Sequence, residues 1–368
     1  MMKQVITNCI IYSGKEILSG ISILISEGKI AGFVYESDIP DDYHILNLKG
    51  NNICPAFIDL QIYGANGHLF SAHPTIETIN ETYQYCLQGG ATKFLMTIAT
   101  NSKDLVSKGI SIAKQYLNDG GKGLLGLHLE GPWINPEKRG AHLNEYICSP
   151  TTEEAKRLID EADGIVKMTT LAPEMVDESI IDLLLEKGIL VSAGHSNASY
   201  KQATKGFEKI KLATHLFNAM SQLQSREPGM VGAIYNNNTV KSSIVADGLH
   251  VDFAAIQISK KILGERLYLI TDAVAETTSG IYQHVFKNDR YTLPDGTLSG
   301  STLTMMKAVK NCVQHADIKI EEALRMASLY PARILGKENE FGFIERNQMA
   351  SFVVFDNELN LVEVIDLS

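Results

Sequence analysis

Hydrophobic and polar positions change rhythm twice along the chain. Up to about residue 52, short β-branched runs at 4–12, 20–26 and 29–35 are separated by turn residues such as Glu27-Gly28. That pattern predicts a small antiparallel sheet. From residue 53, apolar strand-like runs alternate with segments of helical period, the runs being 53–62, 93–98, 123–129, 166–171, 189–193, 211–214, 241–246 and 267–271. Eight such runs predict a closed barrel of parallel strands, each followed by a helix. Thr151-Thr152-Glu153-Glu154 ahead of 155–162 is a helix start, with a capping hydroxyl and acidic residues in the first turn. Two more helices are expected at 302–315 and 320–335, the second with Pro331 near its end. Strand patterning returns at 352–355 and 361–365. The simplest placement joins this tail to the N-terminal strands, giving a small β domain from residues 1–52 and 338–368 beside a barrel of residues 53–337.

The polar residues at the ends of the runs carry the chemistry. The third run ends in Glu130, where Gly131-Pro132 stops it, and His142 follows in the same loop. The fifth ends in His195 and the sixth in His215. Two histidines and a glutamate, each at the end of a different run, match the His₂Glu ligand set of catalytic zinc sites. Barrel active sites lie at the C-terminal ends of the strands, so Gln61, Asp247, His250 and Asp272 belong to the same expected constellation. Asp272, after the eighth run, is a candidate proton carrier. Residues 216–238 are long for a strand-to-helix connection, a length that in compact domains tends to be functional. His44, His68, His73, His284 and His315 stand in no such set and read as packed or solvated residues.

Charge and cysteine content narrow the class of partner. With 33 basic and 43 acidic residues the net charge is −10, and no basic block stands out. This argues against nucleic acid or an anionic membrane as partner, while one arginine can still hold a phosphate. Five scattered cysteines without a C-x-x-C pair suggest a reducing compartment. With no signal-peptide core and no apolar stretch near the ~20 residues that span a bilayer, a cytoplasmic location is expected.

Taken together, His128-Leu129-Glu130-Gly131-Pro132, Gly140-Ala141-His142, Ala193-Gly194-His195-Ser196, 214–220, Arg226-Glu227-Pro228-Gly229, Asp247-Gly248-Leu249-His250, Thr271-Asp272-Ala273 and Leu298-Ser299-Gly300-Ser301 form a specific set. The chain resembles the N-acetylglucosamine-6-phosphate deacetylases of the amidohydrolase superfamily. The resemblance implies a (β/α)8 TIM-like barrel of the metal-dependent amidohydrolase type, with a small β-sandwich domain formed from both chain ends. It implies one divalent metal ion per chain held by Glu130, His195 and His215, with Asp272 as catalytic acid and base. Zn2+ suits the ligand set best, though Fe2+, Mn2+ or Co2+ are also accepted by imidazole and carboxylate. His142 would polarise the acetamide carbonyl beside the Ala141 backbone. Gln61, Asn218, Ala219, Arg226 and His250 would bind the substrate, the last four at its phosphate end, and Leu298, Ser299 and Gly300 would line the sugar pocket. The partner implied is a phosphorylated amino sugar, and the assembly a homodimer with active sites near the interface.

The chain departs from the wider superfamily in informative places. Where many amidohydrolases carry His-x-His after the first strand, Asp59-Leu60-Gln61-Ile62-Tyr63 stands here, and Ala172-Pro173-Glu174 stands where a bridging lysine would follow the fourth. One ion, not two, is therefore expected. The rival substrate is N-acetylgalactosamine-6-phosphate, differing at one sugar carbon. More distant readings are an amidohydrolase of N-acyl amino acids or cyclic amides, and a catalytically silent sugar-phosphate-binding protein.

Overall fold

The structure, a computed structural model, describes residues 3–277, 281–288 and 290–368. The chain forms two compact units, Met1–Asp59 with Cys86–Lys93 and Thr304–Ser368, and Leu60–Tyr85 with Phe94–Leu303.

The first unit contains two small sheets. One has four strands in the order Lys29–Val34, Ser22–Ser26, Gln4–Thr7, His44–Asn47. The other has five, in the order Leu361–Asp366, Ser351–Phe355, Asn52–Pro55, Ile10–Tyr12, Ile17–Leu18, so both chain ends contribute to it. The expected antiparallel sheet is in fact mixed, because Gln4–Thr7 pairs in parallel with His44–Asn47 and Ile10–Tyr12 in parallel with Asn52–Pro55. Asn8, with a left-handed φ of 53°, interrupts the run 4–12, and its two halves lie in different sheets. Ile6, Ile23, Ile25, Ile30, Ile53, Phe352 and Val354 fill the core of this unit, each large apolar side chain contributing roughly 1.5–3 kcal/mol by burial.

Two expected elements divide. The run 53–62 is two strands, Asn52–Pro55 in the five-stranded sheet and Phe57–Ile62 in the barrel. The expected helix 320–335 is Ile320–Ala327 followed by Leu329–Ile334. Pro331 has no N–H for the carbonyl of residue 327 and its ring would crowd that carbonyl. Ser328 leaves the helical region (φ −123°, ψ −71°), and Pro331 then falls in the first turn of a new helix, where its missing donor costs nothing.

The barrel strands are β1 (Phe57–Ile62), β2 (Ala91–Ala99), β3 (Leu124–Glu130), β4 (Val166–Leu171), β5 (Leu190–Ala193), β6 (Leu212–Ala213), β7 (Lys241–Val245) and β8 (Leu267–Ile270), neighbours in chain order. The pairs from β2 to β8 are parallel. The ring closes where Ile62 bridges Ala273 in parallel, the Asp272 N–H donating to the Gln61 carbonyl at 3.0 Å. Helix Thr152–Ala162 begins as its sequence predicts, with Thr151 and Glu154 capping each other's backbone N–H groups. Inside the barrel, His128 Nε2 meets Thr170 Oγ1 at 2.8 Å, Thr170 meets Thr214 at 2.7 Å, and Thr214 meets Ser192 at 2.6 Å. These buried polar groups thus satisfy one another across β3, β4, β5 and β6.

Candidate metal and catalytic site

At the C-terminal ends of the barrel strands, one pocket is lined by Glu130, His142, His195, His215 and Asp272 together with Ala141, Asn218, Ala219, His250, Leu298, Ser299 and Gly300. Four of these residues stand on backbone that few side chains adopt. His195, His215 and Asp272 have φ of 47°, 38° and 56°, and Ala219 has 47°. Such left-handed conformations at non-glycine residues cost free energy and concentrate at functional sites. At Gly131 the geometry does demand glycine: φ is +80°, and a Cβ there would lie 2.1 Å from Thr100 Oγ1.

Glu130, His195 and His215 converge. His195 Nε2 lies 3.3 Å and His215 Nε2 3.0 Å from Glu130 Oε1, and the two nitrogens are 3.1 Å apart. A tetrahedral ion with bonds of roughly 2.0–2.1 Å to nitrogen has ligand atoms about 3.3 Å apart, so this triangle has the right size for a cation. Among the described residues this is the one cluster of such donors. The His195 Nδ1–H donates to the Lys138 carbonyl at 2.9 Å, which leaves the Nε2 lone pair turned to the cluster. Burial opposes the charge on Glu130, yet the neighbouring His195, with His142 and His215, holds its carboxyl well below the usual range.

His142 is oriented from behind by Thr100. The Thr100 backbone N–H lies 3.2 Å from His142 Nδ1 and can only donate, so Nδ1 is the acceptor and Nε2 carries the proton. Burial, reinforced by the neighbouring His195, pushes this imidazole down to about 4. It is a neutral donor facing Glu130 Oε2 at 3.2 Å and the pocket.

Asp272 Oδ1 accepts from the Gln61 amide at 2.7 Å, and the same nitrogen reaches Glu130 Oε1 at 3.0 Å. Burial raises the Asp272 pKa, with the Glu130 charge adding to it against the nearby histidines. His250 pairs with Asp247 at 2.6 Å and its Nε2 donates to the Ser299 carbonyl at 2.6 Å. Burial disfavours the His250 cation, but Asp247 outweighs it and raises the pKa. The side-chain amide nitrogen of Asn218 is buried without a protein partner, an unspent donor at the pocket wall.

Three expected residues stand apart from the lining, one of them Asp247, which pairs with His250 at 2.6 Å. Gln61 is buried beneath it, holding the two carboxylates. Arg226 is exposed on the loop before helix Gly229–Asn236 and lines no part of its own chain's pocket. Tyr63, Tyr282 and His284 do line it without having been singled out. Strand alternation was the available signal for Tyr63, since Asp59, Gln61 and Tyr63 share a face. His284 offered none; it is brought in by the pairing of Thr277 with His284, and its Nδ1 meets Ser299 Oγ. Glu174, where a superfamily lysine was missing, ties the loop after β5 by accepting from Ser196 Oγ and the Asn197 N–H, each at 2.7 Å.

A parallel barrel with a buried His₂Glu cluster facing an aspartate after β8 defines a metal-dependent hydrolase. The chain belongs to the amidohydrolase family, which it matches over residues 52–366, with the NagA composite domain over residues 5–53. It is 34% identical to an N-acetylglucosamine-6-phosphate deacetylase of Haemophilus influenzae, over 99% of this chain and 98% of that one. Its fold is similar to a crystal structure of the N-acetylglucosamine-6-phosphate deacetylase from Pasteurella multocida, with TM-score 0.95 and 34% identity over 100% of this chain and 98% of that one. It is also similar to a mutant Mycobacterium smegmatis deacetylase solved with N-acetyl-D-glucosamine-6-phosphate, with TM-score 0.90 and 26% identity over 100% and 98% of the two chains.

Proposed function

We propose that this chain hydrolyses the acetamide of N-acetylglucosamine-6-phosphate to glucosamine-6-phosphate and acetate. The observation that carries this is the convergence of Glu130, His195 and His215 opposite Asp272, in a chain similar over its whole length to deacetylases of that substrate. Glu130, His195 and His215 would hold one divalent ion, Zn2+ being the best match to two imidazoles and a carboxylate. When bound, such an ion supplies an activated water and positive charge against the developing oxyanion.

The chain's own groups divide the remaining work. Asp272 takes a proton from the attacking water as the C–O bond forms, then delivers it to the sugar nitrogen as the C–N bond breaks. His142, neutral with its proton on Nε2, donates to the carbonyl oxygen, a role typically worth about 3–4 kcal/mol. Asn218, Ala219 and His250 bind the phosphate end, and the unpartnered amide of Asn218 supports this reading. Ala141, Leu298, Ser299 and Gly300 shape the sugar pocket, and Gln61 serves it from below through Asp272.

The working unit in this proposal is a homodimer in the cytoplasm. Arg226 is exposed beside Leu223, and helix Phe253–Leu263 presents exposed Ile258 and Ile262. In such an assembly a second copy would cover exposed apolar surface, and Arg226 would serve the partner's pocket. Among the described residues no helix is long and apolar enough to cross a membrane. Residues 53–337 are taken as the catalytic barrel, with 1–52 and 338–368 as the small β domain.

Acetate release, measured from N-acetylglucosamine-6-phosphate, the unphosphorylated sugar and the galacto epimer with metal content determined on the same sample, tests the proposal. Preference for the phosphorylated gluco substrate with about one ion per chain is expected. Turnover of the galacto epimer alone would reassign the substrate, and binding without turnover would make the chain a sugar-phosphate-binding protein.

A further inference from the structure

The two oxygens of Glu130 have separate partners. Oε1 lies with His195 Nε2, His215 Nε2 and the Gln61 amide, at 3.3, 3.0 and 3.0 Å. Oε2 faces His142 Nε2 at 3.2 Å and receives the hydroxyl of Tyr63. A carboxylate can offer a cation one oxygen or both, and a hydrolytic His₂Glu site needs a coordination position left open. His142 does not hold Oε2 through a turnover if its proton goes to the substrate carbonyl. The phenol of Tyr63 can, because its ring is packed among Leu69, Ala99, Val274 and Tyr282, and its oxygen lies 3.0 Å from the Gln61 amide nitrogen.

We propose that Tyr63 is a positioning residue that keeps Glu130 Oε2 occupied, so that Glu130 offers the ion Oε1 alone. This rests on Glu130, His195 and His215 holding that ion. Tyr63 reaches the carboxylate because β1 alternation puts it on the same face as Asp59 and Gln61, one step beyond the strand's last residue. Without its hydroxyl, Oε2 is free to swing onto the ion and take the position meant for water.

The test compares wild type and Tyr63→Phe loaded with Co2+, whose visible absorption weakens as coordination rises from four to five. Phenylalanine keeps the ring contacts with Leu69 and Val274, and circular dichroism with a melting curve checks the fold. The expected result is a weaker cobalt band in Y63F, with kcat lowered roughly 10–100-fold and KM within about twofold, the split expected when substrate contacts are kept and the chemical step is impaired. Tyr63→Gln, which restores a donor, is expected to lie nearer wild type in both readouts and serves if Y63F does not fold. An unchanged band and kcat in Y63F would overturn the role of Tyr63 while leaving the metal reading intact. Wild-type protein that takes up no Co2+ would overturn both.

Discussion

At the scale of single residues, environment assigns the roles. Glu130 and Asp272 are both buried carboxylates linked through one amide, yet their pKa values move in opposite directions because three histidines face Glu130 while burial dominates at Asp272. Asp272→Asn is expected to retain one ion per chain and lose about 10²–10⁴ of kcat; full turnover in that variant would remove the acid–base role. Asp247 and His250 give a pH signature. His250 is raised, so its stabilising charge is fully present below its unfolded value of about 6.5 and is lost as pH rises through the folded value. Asp247 is lowered, so its contribution is present above about 3.9 and is lost as pH falls through its folded value. Asp247→Asn should therefore make KM for the phosphorylated substrate climb at lower pH than in wild type, as a KM series across neutral pH would show. Superimposable KM profiles would disconnect the pair from substrate binding.

At the scale of elements, barrel strands carry polar groups inward as well as apolar ones. The chain from His128 through Thr170 and Thr214 to Ser192 joins four strands just below the metal cluster. Burial pushes His128 down to about 3, so it stays neutral in the folded barrel. Unfolded, it takes up a proton near 6.5, and stability associated with it falls as pH drops from there toward 3. Thr214→Val removes the hydroxyl shared by Thr170 and Ser192 and is expected to cost about 1–3 kcal/mol of stability. Urea titration at neutral pH measures this, and a loss within error would mean the neighbours find other partners.

The eight runs were readable because buried parallel strands are continuous apolar segments. The helix break at Ser328 and the split of run 53–62 were not, because periodicity records burial and says little about which sheet accepts a strand. His44–Asn47 escaped for a related reason, being largely exposed at a sheet edge with no apolar alternation to mark it.

At the scale of the whole molecule, the exposed position of Arg226 bears on assembly. If it serves the partner's pocket, two inactive variants should complement each other. Mixing Asp272→Asn with Arg226→Ala under conditions of subunit exchange gives hybrids with one site that has both groups. Random exchange would restore about a quarter of wild-type activity. No recovery, with exchange confirmed by mass, would place Arg226 in its own chain's chemistry or outside it.

The sequence by itself determined the barrel, the His₂Glu set and Asp272, since an apolar run ending in Glu, His or Asp is a local signal, seen at Glu130, His195, His215 and Asp272. Tertiary structure alone decided how those groups are held. Thr100 reaches His142 across 42 residues and sets which nitrogen bears the proton. Gln61 reaches Asp272 across 211 residues, and Tyr63 reaches Glu130 across 67. Such contacts leave no local pattern, because a hydrogen bond between distant strands is fixed by barrel closure and register, which pairwise spacing along the chain does not encode.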